Sequence, residues 1–342
     1  MSVHLAEYIW LGGNGELRSK IKVLPRFRGG DAVDYGLNGY PEWNFDGSST
    51  GQASGLNSEL KLKPVAVFNN PFSLGGNLVL CETFDKNDTP LSTNSRNAAA
   101  NMFQTEQATR EKPWYGIEQE YFIMGDKFQK HIHEAGPQGQ YYCSVGSQNA
   151  IYREVAEHHL QACIKAGLKV SGINAEVAPC QWEYQIGPCL GIEAGDQLWI
   201  SRWIMERVSE IHNVKIIWKP KPFTFINGSG CHTNFSTESM REPQVGLEVI
   251  YKAIEKLKNK HKEHMQEYGS GNELRMSGKY ETAKFDEFSF DREKPVDRGA
   301  SVRIGYETLA QKGGYFEDRR PASSMDPYKV TARMFKTICL EN

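Results

Sequence analysis

The sequence has no excess of charge of either sign. Forty Lys and Arg stand against 42 Asp and Glu in 342 residues, a formal net charge of −2 with nine His taken as neutral. That balance lacks the electrostatic footprint of a nucleic-acid or membrane-surface partner. No apolar run approaches the ~18–20 residues of a spanning helix. The opening MSVHLAEYIW has neither the basic start nor the apolar stretch of a secretory signal, so a cytoplasmic protein is expected. The seven cysteines (Cys81, Cys143, Cys163, Cys180, Cys189, Cys231, Cys339) are odd in number and form no Cys-x-x-Cys pair. This argues against a disulfide framework and a structural zinc site, and for free thiols. Internal repeats, low-complexity segments, a Gly-x-x-x-x-Gly-Lys-[Ser/Thr] loop and a protein-kinase signature are all missing, so any nucleotide site is of another type.

What is present is the composition of a globular protein, 39% hydrophobic and 24% charged, with 32 Gly and 15 Pro. It points to a mixed α and β chain of about two domains at ~100–200 residues each. Residues 1–92 carry short extended runs (6–10, 19–24, 64–68, 78–82) broken by Gly, Asn, Asp and Pro, which predicts a small sheet-rich domain. The glycine-dense stretches at 29–30 and 48–55 are too poor in apolar side chains to pack, and read as loops. A second domain, 93–342, opens with a helix predicted over 93–110. Further helices are predicted over 151–166, capped by Gly167, and over 195–211 and 243–268.

Between the helices lie strands of period two. In Gly116-Ile-Glu-Gln-Glu-Tyr-Phe122, Glu118 and Glu120 share a face; in Gln181-Trp-Glu-Tyr-Gln-Ile186, Glu183 shares one with Gln181 and Gln185. Two carboxylates so placed repel by an amount of order 2 kcal/mol, unless the face is wet or a cation sits there. A solvent-facing edge strand explains the first pair equally well. Glu176 and Glu183 again lie in apolar or aromatic settings, where an unpaired carboxylate is costly. His232 follows a run of small residues, and Glu317 closes Gly313-Gly-Tyr-Phe-Glu. Five glutamates and one histidine are oxygen-rich ligation for two divalent cations, Mg²⁺ or Mn²⁺ rather than zinc. The other histidines, including His131, His133, His158, His159, His261 and His264, sit in polar stretches or on helix surfaces and are assigned no role. Arg275, Arg298, Arg303, Arg319 and Arg320 crowd the last quarter, and guanidinium forks beside metal-binding acids suit phosphoryl chemistry.

At this point the chain resembles the glutamine synthetases of the eukaryotic type over nearly its whole length. The matching segments are Trp43-Asn-Phe-Asp-Gly-Ser-Ser-Thr50, Gly116-Ile-Glu-Gln-Glu-Tyr121, and Asn174-Ala-Glu-Val177 with Gln181-Trp-Glu-Tyr-Gln-Ile-Gly-Pro188. Asn227-Gly-Ser-Gly-Cys-His-Thr-Asn-Phe-Ser236 and Gly314-Tyr-Phe-Glu-Asp-Arg-Arg-Pro321 complete the set. The resemblance implies an α+β fold, an N-terminal β-grasp domain followed by a larger α/β catalytic domain. It also implies an ATP-dependent ligase that makes L-glutamine from L-glutamate and ammonium through γ-glutamyl phosphate, releasing ADP and phosphate.

Residue by residue, it implies that Glu120, Glu176 and Glu183 hold one Mg²⁺ or Mn²⁺, and that Glu118, His232 and Glu317 hold a second. ATP would meet Glu118, Glu183, Asn234, Ser236, Arg298, Arg303 and Tyr315. Glutamate would meet Asn227, Gly228, His232, Arg275, Arg298 and Arg319. Asp46 would bind ammonium and take its proton, Glu281 would sit on a flap over the acyl phosphate, and Arg298 and Arg319 would act in catalysis. A homo-oligomer with active sites shared between neighbours is implied, a decamer of two pentameric rings, with no nucleic acid and no membrane as partner. The chain departs from the family pattern at Lys279-Tyr280, Phe225-Ile226 and Gly305, which touch the glutamate pocket and flap. A ligase for larger amines is the nearest alternative, against which Asp46 and Glu281 argue. A catalytically silent ring would have lost metal ligands, and all six positions are filled.

Overall fold

The computed structural model describes residues 3–25, 37–133, 140–280 and 282–341. The glycine pair at 29–30 and the predicted flap residue Glu281 lie outside the described residues. In chain order the strands are β1 (Val3–Leu11), β2 (Leu17–Pro25), β3 (Trp43–Asp46), β4 (Glu59–Asn69), β5 (Asn77–Phe84), β6 (Trp114–Met124), β7 (Val170–Ala175), β8 (Gln181–Leu190), β9 (Lys215–Ile217), β10 (Cys231–Ser236), β11 (Val302–Arg303) and β12 (Phe316–Asp318). The helices are α1 (Ser95–Phe103), α2 (Glu106–Glu111), α3 (Phe128–Ile132), α4 (Arg153–Ala166), α5 (Glu193–His212), α6 (Glu238–Arg241), α7 (Gly246–Asn259), α8 (His261–Glu267), α9 (Asn272–Arg275), α10 (Tyr306–Gln311) and α11 (Pro327–Phe335). The chain divides into two compact units, residues 1–100 with 161–168, and residues 101–160 with 169–342.

The first unit is built on a five-stranded sheet of order β2-β1-β5-β4-β3, in which β1 and β5 run parallel and the other neighbours antiparallel. Alternation along β1 turns Ala6, Tyr8 and Trp10 inward, where they meet Phe45, Leu62 and Val79 in one core. The edge strand β2 carries Lys20 and Lys22, whose ammonium groups lie 3.6 and 4.4 Å from the Trp43 ring. Charge on an edge discourages pairing with another chain.

The second unit contains a sheet of order β11-β12-β10-β6-β8-β7, with β9 pairing β6. Both neighbours of β6 are antiparallel, so the strand of Glu118 and Glu120 is central and the edge-strand explanation falls away. The long helix α5 is buried along most of its length, with Leu198, Ile200, Trp203, Ile204 and Met205 in the core. Its buried polar residues Asp196, Gln197, Ser201 and Arg202 face into the unit as well, so packing and not an all-apolar surface covers the helix.

Two predicted helices are each two. The one over 93–110 breaks at Thr105, whose hydroxyl caps α2 by accepting from the Ala108 amide at 3.3 Å. The one over 243–268 breaks at Lys260, whose φ of −107° leaves the helical region between α7 and α8. Three histidines assigned to polar stretches or surfaces are buried instead. His159 meets the Ser201 carbonyl at 2.9 Å, and His264 lies between the Tyr268 and Thr337 hydroxyls at 2.7 and 2.8 Å. His261 sits between the Phe285 carbonyl and Arg320, at 2.8 and 3.0 Å. Arg320, grouped in the sequence with the phosphate-type arginines, is fully buried in a two-point pair with Asp318, with contacts at 2.8 and 2.6 Å. All seven cysteines are free, as their spacing suggests.

Candidate active site

Strand β6 turns Glu118 and Glu120 to one face because they are two residues apart, and the register does the rest. Glu120 stands opposite Glu183 on β8, and Glu118 opposite His232 on β10. His232 in turn neighbours Glu317, since β12 pairs the other side of β10. Six side chains thus fall into two triads, Glu118 with His232 and Glu317, and Glu120 with Glu176 and Glu183. Within each triad a donor atom of every member lies within 4.8 Å of the others.

The Glu120 triad is a concentration of buried negative charge. Burial first, and the Glu176 carboxylate second, push the Glu120 carboxyl up to about 8. Burial also raises Glu176, and burial together with Glu118 and Glu176 raises Glu183 well above the usual carboxylate range. Their partners are neutral donors: the Gly230 amide for Glu120 at 2.8 Å, the Val177 amide and Asn174 for Glu176 at 3.0 and 3.1 Å, and Gln185 for Glu183. Among the described residues no Lys or Arg forms an ion pair with any of the three. An oxygen-only donor set with this charge deficit fits a hard divalent cation such as Mg²⁺ or Mn²⁺.

The Glu118 triad differs in having guanidinium neighbours. His232 Nδ1 lies 3.5 Å from Glu118 and 3.3 Å from Glu317, and burial holds the imidazole well below its ordinary range, hence neutral and fit to be a ligand. Arg319 approaches Glu317 at 2.6 Å and Arg303 at 3.6 Å. Asn234 donates to the other Glu118 oxygen at 2.8 Å. The space around the imidazole is tight: a Cβ on Gly230 would come within 2.5 Å of His232 Nε2.

Glu118 also lines a cavity of about 540 Å³ together with Asn234, Ser236, Tyr315 and the Gly187-Pro188 turn. The volume is that of a small-molecule site. Arg241 closes one side, its guanidinium 4.1 Å from the Trp114 ring and 2.9 Å from the Ser236 hydroxyl. Of the predicted nucleotide residues, Glu118, Asn234, Ser236 and Tyr315 line this cavity. Arg303 reaches the neighbourhood through Glu317.

Of the predicted glutamate residues, Arg275 is buried, which lowers its guanidinium to about 10; Nε donates to Asn272 at 2.9 Å and Nη2 to the Arg319 and Arg320 carbonyls at 3.0 and 2.7 Å. Its Nη1 faces Gly230. Gly228 accepts from Gln181 at 3.0 Å, and a Cβ there would lie 2.4 Å from the Pro220 carbonyl, so only glycine fits. Asn227, beside it, is half-buried. Arg298 is exposed; its charge partly offsets the rise that burial gives the Glu176 carboxyl, and its carbonyl accepts from Arg319 at 3.0 Å. Asp46 belongs to the first unit, where its exposed carboxylate accepts from Ser48 and Ser49 and is thereby held below the usual range.

Sequence reasoning missed Asn174, Gln181 and Gln185, which orient the carboxylates. The alternation that places Gln181 and Gln185 on the face of Glu183 was the available signal. For Arg241 and Trp114 there was none, because the elements that bring them together are far apart in the chain.

The fold is one that glutamine synthetases adopt. It matches a cryo-EM structure of the Plasmodium falciparum glutamine synthetase with a TM-score of 0.76, over 98% of this chain and 71% of that one, at 15% identity. The glutamine synthetase catalytic-domain family model matches residues 92–246. The Arabidopsis thaliana glutamine synthetase cytosolic isozyme 1-3 is 48% identical over 98% of this chain and 94% of its own. The Oryza sativa cytosolic isozyme 1-1 is 48% identical over 97% and 93%. The chain belongs to the glutamine synthetase family, and it is an enzyme of that family.

Proposed function

We infer that the chain joins L-glutamate and ammonia to make L-glutamine at the expense of ATP, with γ-glutamyl phosphate as the intermediate. One observation carries the reading: all six cation-ligand side chains converge in two triads, one of which borders a nucleotide-sized cavity. Two divalent cations, Mg²⁺ or Mn²⁺, would be held by Glu120, Glu176 and Glu183 and by Glu118, His232 and Glu317. Bound there, they supply positive charge against the oxygens of the transferring phosphoryl group.

The cavity takes the nucleotide against Asn234, Ser236 and Tyr315, so that the triphosphate runs toward Glu118. Arg303 and Arg298 offset phosphate charge, while Arg275, Arg319, Asn227 and Gly228 orient glutamate. A γ-carboxylate oxygen of glutamate attacks the γ-phosphorus, and the bond to the bridging oxygen of ADP breaks. Ammonia nitrogen then attacks the activated carbonyl carbon and inorganic phosphate leaves with the C–O bond electrons. Ammonium enters as a cation, so an acid must attract it and accept its proton. Asp46 suits the first task because its carboxylate stays ionised, and relays the proton in the second. Glu281 is assigned to shielding the intermediate from water.

Residues 1–92 are read as a β-grasp domain and 93–342 as the catalytic domain, a boundary supported by the family match beginning at residue 92. The functional form is a homo-oligomer that shares active sites between neighbouring copies, a decamer of two pentameric rings. A cytosolic setting is supported by the cytosolic relatives, and no helix among the described residues is long and apolar enough to cross a membrane. The test is phosphate release from ATP with glutamate and Mg²⁺, with and without ammonium. Glutamine formation that tracks phosphate supports the reading. Equal turnover with ethanolamine or a polyamine favours a broader amine ligase.

A further inference from the structure

Arg202 lies in the middle of α5, on the side of the sheet away from the triads, and is 4% exposed. Among the described residues it has no carboxylate partner. Its fork is spent on neutral acceptors: Nε and Nη2 donate to Gln119 Oε1 at 2.9 and 2.6 Å, Nη2 to the Ser323 carbonyl at 3.0 Å, and Nη1 to the Met325 carbonyl at 2.8 Å. The Gln119 amide is used as well, donating to the Glu120 and Ser323 carbonyls at 2.9 and 3.0 Å. A buried ion without a counter-ion is costly, and an apolar side chain would occupy the same space more cheaply. What an apolar side chain cannot do is join separate segments of backbone.

The pleat makes this junction bear on the cation ligands. Gln119 stands between Glu118 and Glu120 and faces the opposite way. Cys231 precedes His232, pairs with Gln119 in register, and lies 3.4 Å from Gln119 Oε1 and 3.9 Å from Arg202 Nη2. The side chains that Arg202 holds from behind are therefore chain neighbours of Glu118, Glu120 and His232, which belong to both triads. The third segment it grips, at Ser323 and Met325, follows directly on Glu317 to Pro321. Fixing residue i on one face of a strand fixes the direction of residues i−1 and i+1 on the other.

We propose that Arg202 is a positioning residue for both cation sites, acting through Gln119, Cys231 and the 323–325 backbone to hold the two triads in register. The proposal rests on reading the triads as cation sites. Ligand-orienting groups outside the coordination sphere typically change metal affinity by about 10–100-fold.

The test is Mn²⁺ titration of the full chain, with free Mn²⁺ read by electron paramagnetic resonance, alongside thermal melting in chelator. The parent is expected to bind two Mn²⁺ per chain. Arg202→Met, which removes the fork and charge, should weaken binding about tenfold or more, and Arg202→Lys, which keeps charge but cannot bridge three segments, should weaken it as well. Parent-like Mn²⁺ affinity in either variant, even with a lowered melting temperature, overturns the proposal, because a merely structural role moves only the melt. If Arg202→Met gives no cooperative melt, Gln119→Leu decides: a loss of about fivefold or more supports the proposal and unchanged affinity overturns it. A parent chain that binds no Mn²⁺ overturns the reading of the triads, and this inference with it.

Discussion

Arg319 Nη1 lies 2.6 Å from Glu317 Oε1, so the guanidinium assigned to substrate is already tied to a carboxylate assigned to a cation. Glu317 lies on β12 beside His232, and Arg319 follows two residues on, just past the end of the strand. The pair lets one short stretch of chain, the end of β12 and the residue after it, carry both charges.

Removing either partner should have different consequences. Glu317→Gln is expected to weaken Mn²⁺ binding and lower kcat about 100-fold or more. Arg319→Ala should lower kcat by a similar factor, about 100-fold, while Mn²⁺ binding is retained or tightened, since a competing cation has left the carboxylate. Mn²⁺ titration beside steady-state rates separates the two, and loss of Mn²⁺ binding in Arg319→Ala contradicts the assignment.

The Glu120 triad makes the cation-free protein sensitive to alkali. In the fold, burial and Glu176 raise the Glu120 carboxyl to about 8, against 4.5 as the ordinary value. As pH rises above 4.5 the unfolded chain releases this proton while the folded chain keeps it, so stability falls up to about pH 8 and then levels. Melting temperatures in chelator should therefore decline from pH 5 to pH 8, and Mn²⁺ should remove the decline. Glu120→Gln should make the chelator curve shallower and reduce the Mn²⁺ response, since Glu176, Glu183 and the second triad remain; a parent-like slope in that variant contradicts the account.

Gly230 is expected to tolerate no side chain. A Cβ would meet His232 Nε2 at 2.5 Å, so the imidazole must shift from the position in which Nδ1 faces Glu118 and Glu317. Gly230→Ala should therefore fold but bind Mn²⁺ about tenfold or more weakly. Parent-like Mn²⁺ affinity in a folded Gly230→Ala protein contradicts the placement of His232 in the triad.

Acid sensitivity has a separate source. Burial lowers His159 to about 4 from 6.5, with the Ser201 carbonyl opposing. The unfolded chain takes up a proton below pH 6.5 that the folded chain refuses until about pH 4, so stability is lost as pH falls through that window, by roughly 3 kcal/mol. Urea midpoints at pH 7, 5.5 and 4.5 should decline less steeply in His159→Gln than in the parent. Parallel curves would assign the acid loss to other groups.

The features of the site that repeat along the chain were legible in the sequence. Alternation put Glu118 with Glu120 and Glu183 with Gln185, because the strand period is two and needs no knowledge of partners. Whether β6 was a wet edge or a central strand was not legible, since that depends on pairing with β10, more than a hundred residues away. The same limit explains His159, His261 and His264, which look like surface residues on polar helices until tertiary packing covers them. Arg202 and Arg320 escaped for a related reason: a buried arginine differs from an exposed one only in its distant acceptors. The broken helices were a local miss, since the cap at Thr105 was present in the sequence.

The central claim is that two cation triads and the adjoining cavity form one ATP-driven amide-forming site. Its most direct measurement is inorganic phosphate and glutamine counted together, with ATP, glutamate and Mn²⁺ present and ammonium added or withheld. The account predicts equal amounts of the two products with ammonium, a small fraction of that phosphate without it, and neither product in Glu120→Gln. Phosphate release that ignores glutamate and ammonium, or a Glu120→Gln protein that still makes glutamine at the parent rate, would contradict it.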